Sequence, residues 1–340
     1  MRQVWTTRTG PPEVLQVREA PDPEPGKGEV RIRVHASGVN FADIMGRLGL
    51  YPDAPKLPAV FGYEVAGVVD AVGAGVKGFK EGGRVIGLCR FGGHSDVVAL
   101  PEIQVTPLPA RLTFAQGAAI PVNYLTVYQM LFVMGSIKRG ERVLVHSIGG
   151  GVGFAAIDLC AIAGAEVIGT ASEKKHAAIR ARGVKHLIDY TKHDFEAEVR
   201  KITHGKGVHL ILDPVGGESW AKGLRSLAPT GRLVVFGFSA AATGKKPNPL
   251  SALRNAIKVP WLKFNPVTLM NENKAVIGVN IGHLWGEAEM VQAWMEQLVA
   301  WAEEGRIHPT VDHEFKFDEA PKAHHHIQDR KNVGKVVLVP

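Results

Sequence analysis

The chain has 340 residues, 45% of them apolar and 21% charged, with 40 Lys and Arg against 33 Asp and Glu for a formal net charge of +7. Such a composition excludes disorder over most of the chain, because it carries enough apolar surface to bury a core, and the length exceeds what one core ordinarily supports, so two domains are expected. The two cysteines, Cys89 and Cys160, exclude a disulfide framework and a four-cysteine zinc site, and fit a reducing, cytoplasmic setting.

Lys and Arg are spread along the chain rather than gathered in a tail, which hints at an anionic ligand such as a phosphate or an acidic lipid. Met1 to Thr9 is charged and strand-like, without the apolar stretch of a signal peptide. The segment from Leu112 to Ile137 has no charged residue, yet Gln116, Gly117, Pro121, Asn123, Thr126 and Gln129 interrupt it. Lipid would leave those polar groups unsatisfied, so a buried helix with a polar face, starting near Asn123, is expected in place of a membrane span.

In chain order, Val30, Ile32 and Val34 alternate with Arg31, Arg33 and His35, the period of a half-buried strand. Further β-rich runs at Glu64 to Val72, Arg84 to Leu88 and Asp96 to Leu100, separated by Gly-containing turns, make the first part a mostly antiparallel β domain. After Pro121, short apolar strands alternate with helix-length segments: Val143 to Val145, Glu166 to Gly169, His186 to Asp189, His209 to Asp213 and Arg232 to Gly237. That alternation implies βαβ units and a parallel sheet, with Ala275 to Asn280 closing its edge. Val291, Trp294, Leu298 and Trp301 then recur at helical spacing up to a stop at Gly305, and Lys335 to Val339 returns to β. The expected boundaries are 1–122 with 283–340 for the β domain and 123–282 for the parallel-sheet domain.

The strongest chemical signal is the strand Val143-Leu144-Val145 running through His146-Ser147-Ile148 into Gly149-Gly150-Gly151-Val152-Gly153 and the helix Phe154 to Ala163. Gly at such positions lets backbone N–H groups and a helix N-terminus meet a pyrophosphate. The fingerprint is imperfect, since Ile148 stands where the first Gly would be. Strand, turn, helix and the βαβ units that follow nevertheless point to dinucleotide binding. About 20 residues on, where an acid would hold a ribose 2′-OH, stands Ser172, followed by Glu173, Lys174 and Lys175. A hydroxyl and two lysines favour a 2′-phosphate and hence NADPH; Glu173 is read either as a counter-signal or as a solvated first-turn residue.

Taken together, Gly38-Val39-Asn40-Phe41-Ala42-Asp43, Arg47-Leu48-Gly49-Leu50-Tyr51-Pro52, Gly62-Tyr63-Glu64-Val65-Ala66-Gly67 and the glycine turn resemble the medium-chain dehydrogenase/reductase superfamily, in its zinc-independent quinone oxidoreductase branch. Asp213-Pro214-Val215-Gly216-Gly217, Ala221-Lys222-Gly223 and Lys331-Asn332-Val333-Gly334-Lys335-Val336 are similar to its vesicle amine transport protein subfamily. The resemblance implies an α/β fold: a Rossmann-type doubly wound parallel sheet plus a GroES-like, mostly antiparallel β catalytic domain. It also implies Asn40 and Tyr63 where zinc relatives carry a catalytic Cys and His, so that no metal is expected and Glu64 becomes a structural carboxylate pairing with an Arg.

By the same resemblance Gly150, Gly151, Val152 and Gly153 hold the pyrophosphate, while Ser172, Lys175 and Tyr190 approach the 2′-phosphate. Asn123, Thr126, Gly237 and Phe238 line the rest of the cofactor, and Asn332 returns to it from the C-terminal segment. Plainer roles stay open: Tyr190 packing, and Asn332 capping a turn. Tyr51 and Asn40 are the implied hydrogen-bond donors to a reacting carbonyl, with Tyr51 as a mere aromatic wall the alternative. The triplet His324-His325-His326 does not make a metal site, because successive helical side chains diverge by about 100°. The expected function is NADPH-dependent hydride transfer to a quinone or activated enone. The alternative is a membrane-associated lipid- or partner-binding protein with little turnover, suggested by the subfamily and by a basic, amphipathic tract from Lys245 to Lys263 continuing through Met270 to Lys274. A homodimer through the edge strand is expected; nucleic acid, lacking an aromatic-and-basic motif, is not.

Overall fold

A computed structural model describes residues 1–242 and 264–340, in two compact units. The tract from Lys245 to Lys263 lies outside the described residues. The β unit comprises Met1–Leu125 and Ile281–Pro340. Its central strand, Glu29–Val39, pairs antiparallel with Glu64–Val72, Val97–Pro101 and Lys335–Val339. The alternation in the sequence is the cause: Val30, Ile32 and Val34 are buried with Val65, Val69, Val85 and Leu100, while Arg31 and Arg33 turn to the other face and both bind Asp70, at 2.9 and 2.8 Å. Among the described residues only Val311–Lys316 pairs parallel in this sheet, with Lys335–Val339 at one edge.

The other unit holds, among the described residues, 126–242 and 264–280. Six parallel strands run in spatial order His186–Ile188, Glu166–Thr170, Arg142–Val145, Val208–Asp213, Leu227–Val235 and Ala275–Gly278. The order reverses beside Arg142–Val145, the switch point at which such sheets bind nucleotides. Leu144, Ile168, Ile211 and Leu233 form the sheet's buried core. The helix Gly151–Ala163 is buried from Gly153 to Cys160 and ends on Gly164, whose φ of 69° supplies the left-handed stop. Ala275–Gly278 pairs with Leu227–Val235 and, among the described residues, has no strand on its other side.

The apolar segment forms the short helix Pro121–Tyr128, continued by a wider π turn at Gln129–Val133. No helix among the described residues is long and apolar enough to cross a membrane.

Candidate active site

At the switch point, His146 to Gly149 turn away from the strand Arg142–Val145 and the helix begins at Gly151. Three glycines in and beside this turn have separate steric reasons. A Cβ on Gly153 would fall 2.2 Å from the Ile148 carbonyl oxygen, and one on Gly169 of the neighbouring strand 2.6 Å from the Ile148 side chain, so glycine lets the helix lie against the sheet. At Gly150 the nearest atom to such a Cβ, apart from its chain neighbours, is the Ser147 carbonyl oxygen at 3.5 Å, leaving space over the helix start. Gly150, Gly151 and Val152 are part-exposed, and no side chain caps the first turn. The Gly150 N–H donates to the Ser147 carbonyl at 3.0 Å, and the N–H groups of Gly151 and Val152 are the orphan donors of a helix N-terminus, with the helix dipole behind them. A helix start of this kind is suited to an anion such as a phosphate group.

His146 beside the turn is buried, its Nδ1 3.1 Å from the Thr170 hydroxyl. Burial depresses its pKa, while Asp213, 3.9 Å from Nε2, acts the other way. The neutral ring is a packing and orienting group, and Thr170 in turn accepts the Ser147 N–H at 3.3 Å. Asp213 itself accepts from the Val215 and Gly216 N–H groups and the Ser219 hydroxyl.

After the second strand, Ser172 starts the turn Glu173–Lys175 and is half-buried. Lys175 is buried, and its methylene stem lies against Gly149, where an added Cβ would meet Cδ at 2.7 Å. Its backbone N–H binds the Ser172 carbonyl at 2.9 Å. Glu173 is exposed and paired with Lys192, whose hydrogen bond is the main cause of its lowered pKa. Its charge is thus met by a cation. Tyr190 is 40% exposed. Gly237 and Phe238 follow the strand Leu227–Val235, where Phe238 stacks on Trp220 at 5.6 Å and lies against Gly216.

On the helix Pro121–Tyr128, Asn123 and Thr126 are buried, and Asn123 donates to the Ala119 carbonyl at 3.2 Å. Asn332 donates to the Gly334 carbonyl at 3.0 Å, the turn-capping bond that its plainer reading expects.

In the β unit, Asn40 lies in a buried network. Its Nδ2 donates to Glu64 Oε1 at 2.9 Å, its Oδ1 accepts from Lys335 at 2.6 Å, and Lys335 binds the same Glu64 oxygen at 2.5 Å. The second Glu64 oxygen takes the Val122 N–H at 2.7 Å. The partner of Glu64 is therefore a lysine from the C-terminal strand and not the expected arginine. Gly38 makes room for it, since a Cβ there would stand 2.3 Å from Glu64 Oε1. Burial and the charge of Glu64 push the Cys89 thiol up to about 12, which keeps it inert.

Tyr51 instead lines a pocket of about 320 Å³ with Tyr63, Phe91, Trp285, Arg90 and the Asp53–His283 pair, which meets at 2.7 Å. Tyr63 stands next to Phe91, ring centroids 5.2 Å apart. Burial, then Asp43 and Tyr51, raise its pKa above that of free tyrosine. The three histidines diverge: His324 accepts from Arg47, His325 meets Glu13 and His326 meets Asp312. Sequence reasoning missed Phe91, Arg90, Asp53, His283 and Trp285. They come from three distant segments, and no local spacing signals their convergence.

Residues 182–338 match the zinc-binding dehydrogenase family and residues 26–110 the alcohol dehydrogenase GroES-like domain. The synaptic vesicle membrane protein VAT-1 homolog of Rattus norvegicus is 43% identical over 329 residues, which span 96% of this chain and 80% of that protein. The crystal structure of the human VAT-1 homolog-like protein superposes with a TM-score of 0.86 at 34% identity, covering 100% of this chain and 98% of that one. Escherichia coli quinone oxidoreductase, crystallised with NADPH, gives 0.84 at 29% identity over 100% of both chains.

Proposed function

Because the chain belongs to the medium-chain dehydrogenase/reductase superfamily, among VAT-1 homologues and quinone oxidoreductase-like proteins, we propose that it is an NADPH-dependent, zinc-independent reductase of quinones or activated enones. The observation that carries this reading is the uncapped helix start at Gly150 to Val152, at the sheet's switch point, one strand away from Ser172 and Lys175. The first supplies neutral donors for a pyrophosphate, the second a hydroxyl and a cation for a 2′-phosphate. Tyr190, 40% exposed, is assigned to the same phosphate, and the exposed Gly237 and half-buried Phe238, whose ring is stacked on Trp220, to the nicotinamide.

Zinc does not suit the residues present. Asn40 and Tyr63 offer an amide and a protonated phenol in place of thiolate and imidazole, and Glu64 already holds the ammonium of Lys335. When bound, NADPH supplies the hydride. The protein's part is to bind, to orient and to stabilise charge on the acceptor. Tyr51 in the pocket wall donates a hydrogen bond to the acceptor oxygen; Asn40 holds Glu64 and Lys335 in place. The test is NADPH oxidation against a panel of quinones and enones with NADH as control. Turnover with neither cofactor on any acceptor rejects the reading.

A second reading is contact with a lipid surface. It is favoured by Val267 and Met270, one helical turn apart on Pro266–Glu272 and 60% and 69% exposed. Flotation with liposomes containing acidic lipid tests it, and absence from the floated fraction rejects it. Pairing of Ala275–Gly278 with its copy in a second subunit would complete the sheet edge, so a dimer mass by light scattering is expected.

A further inference from the structure

Tyr63 carries an anomaly that the reading above leaves unused. The residue is 7% exposed, and its hydroxyl is shielded from solvent without a hydrogen-bond partner. A buried, unpaired hydroxyl is destabilising, and folded proteins rarely keep one without a use for it. This one belongs to a residue that lines the pocket with Tyr51. Tyr51 is its hydrogen-bonding neighbour and opposes its ionisation by charge and by that polar contact, yet the two phenols do not reach normal hydrogen-bond geometry.

We propose that the Tyr63 hydroxyl is a hydrogen-bond donor to the acceptor's oxygen, forming with Tyr51 a two-donor site for the negative charge that collects there. The inference rests on the reductase reading for its reaction. In that reaction the acceptor gains two electrons and one hydrogen at a ring or alkene carbon, the electron pair moves to the carbonyl oxygen, and water delivers a proton to complete the neutral product. Tyr63 keeps its own proton throughout. Burial, and the negative charges of Asp43 and Asp53, oppose its ionisation, so it donates without becoming the proton source. A phenol thereby does with a hydrogen bond what a metal ion does for zinc relatives by Lewis acidity.

The variant Tyr63→Phe keeps the ring beside Phe91 and removes only the hydroxyl. It is expected to lower kcat on a quinone by roughly 10²-fold with KM for NADPH unchanged, the loss typical of one oxyanion donor. Because the hydroxyl has no partner in the fold, the thermal midpoint should stay level or rise. A second measurement needs no turnover: 4-nitrophenolate, whose oxyanion mimics the charged acceptor oxygen, is titrated into the protein and followed by its absorbance. Its affinity should fall roughly 10-fold in Tyr63→Phe, as expected for one charge-assisted hydrogen bond. Equal phenolate affinity in the two proteins, or no binding to either, overturns the inference even if quinones are reduced. Loss of phenolate binding in a protein that reduces no quinone or enone leaves the donor site standing and removes the reductase reading. A clear drop in thermal midpoint would mark the hydroxyl as a structural group and overturn the inference.

Discussion

Arg225 and Glu196 in the parallel-sheet unit make a two-bond pair at 2.8 and 2.6 Å with side chains 46% and 17% exposed, whereas Lys335 and Glu64 in the β unit meet at 2.5 Å with 3% and 0%. The first unit keeps most of its ion pairs outside and fills its interior with apolar strands. Even its buried Asp213 is satisfied largely by backbone N–H groups. The second unit buries side-chain networks: Glu64 with Lys335 and Asn40, and Arg47 with His324 and Gln328. Backbone donors make a ligand cradle that tolerates changes of side chain. Side-chain networks make one in which single residues matter.

The largest effect should come from Lys335→Met, which strands the Glu64 carboxylate and should cost about 3–5 kcal/mol by urea unfolding. Adding Glu64→Gln should recover most of the loss; no recovery would mean that Lys335 acts by packing alone. Next is Lys175→Met, which keeps the stem packed on Gly149 but removes the charge. It should weaken NADPH by about 10- to 100-fold, or ~1.4–2.8 kcal/mol, and leave NADH nearly unchanged. Equal loss for both would move Lys175 away from the 2′-phosphate.

A smaller effect is graded by pH. Burial first, and then the charge of Arg47, hold the pKa of His324 down to about 3. The unfolded chain takes up that proton near the ordinary value of about 6.5. Between those values the unfolded state binds more protons, so stability falls as pH falls, by up to about 1.4 kcal/mol per pH unit from this group. His324→Asn keeps an acceptor for the Arg47 Nε–H and cannot be protonated. Urea midpoints measured from about pH 6.5 down to pH 5 should therefore decline less steeply in the variant; parallel slopes would show that His324 ionises without penalty. The smallest effect belongs to Glu196→Gln, expected to cost about 0.2–1 kcal/mol because solvent screens the pair. A cost matching that of Lys335→Met would erase the contrast between the units.

Much of the fold is legible in the chain because local periodicity and local sterics decide it. The alternation of Val30, Ile32 and Val34 with arginines yields the central β strand, and the Gly149 to Gly153 run yields the turn and helix of the nucleotide cradle. Ala275 to Asn280 reads as an edge strand and, among the described residues, is one over Ala275–Gly278. The site is less legible. Glu64 can be recognised as a structural carboxylate, but its partner comes from the far end of the chain through strand pairing, and nothing near Lys335 announces it. For the same reason Asn40 reads as a donor to substrate, although the fold commits its amide to Glu64 and Lys335.

What the sequence determined by itself is what a short window of chain can hold: strand and helix periods, glycine turns, and the hydroxyl and lysines after the second strand. The convergence of Tyr51, Tyr63, Phe91 and Trp285 on one pocket, and the orphaned hydroxyl within it, were decided by tertiary structure. Burial and pairing are properties of distances between segments. The free energy that selects those distances is shared among the whole packed interior and is not written at any one position.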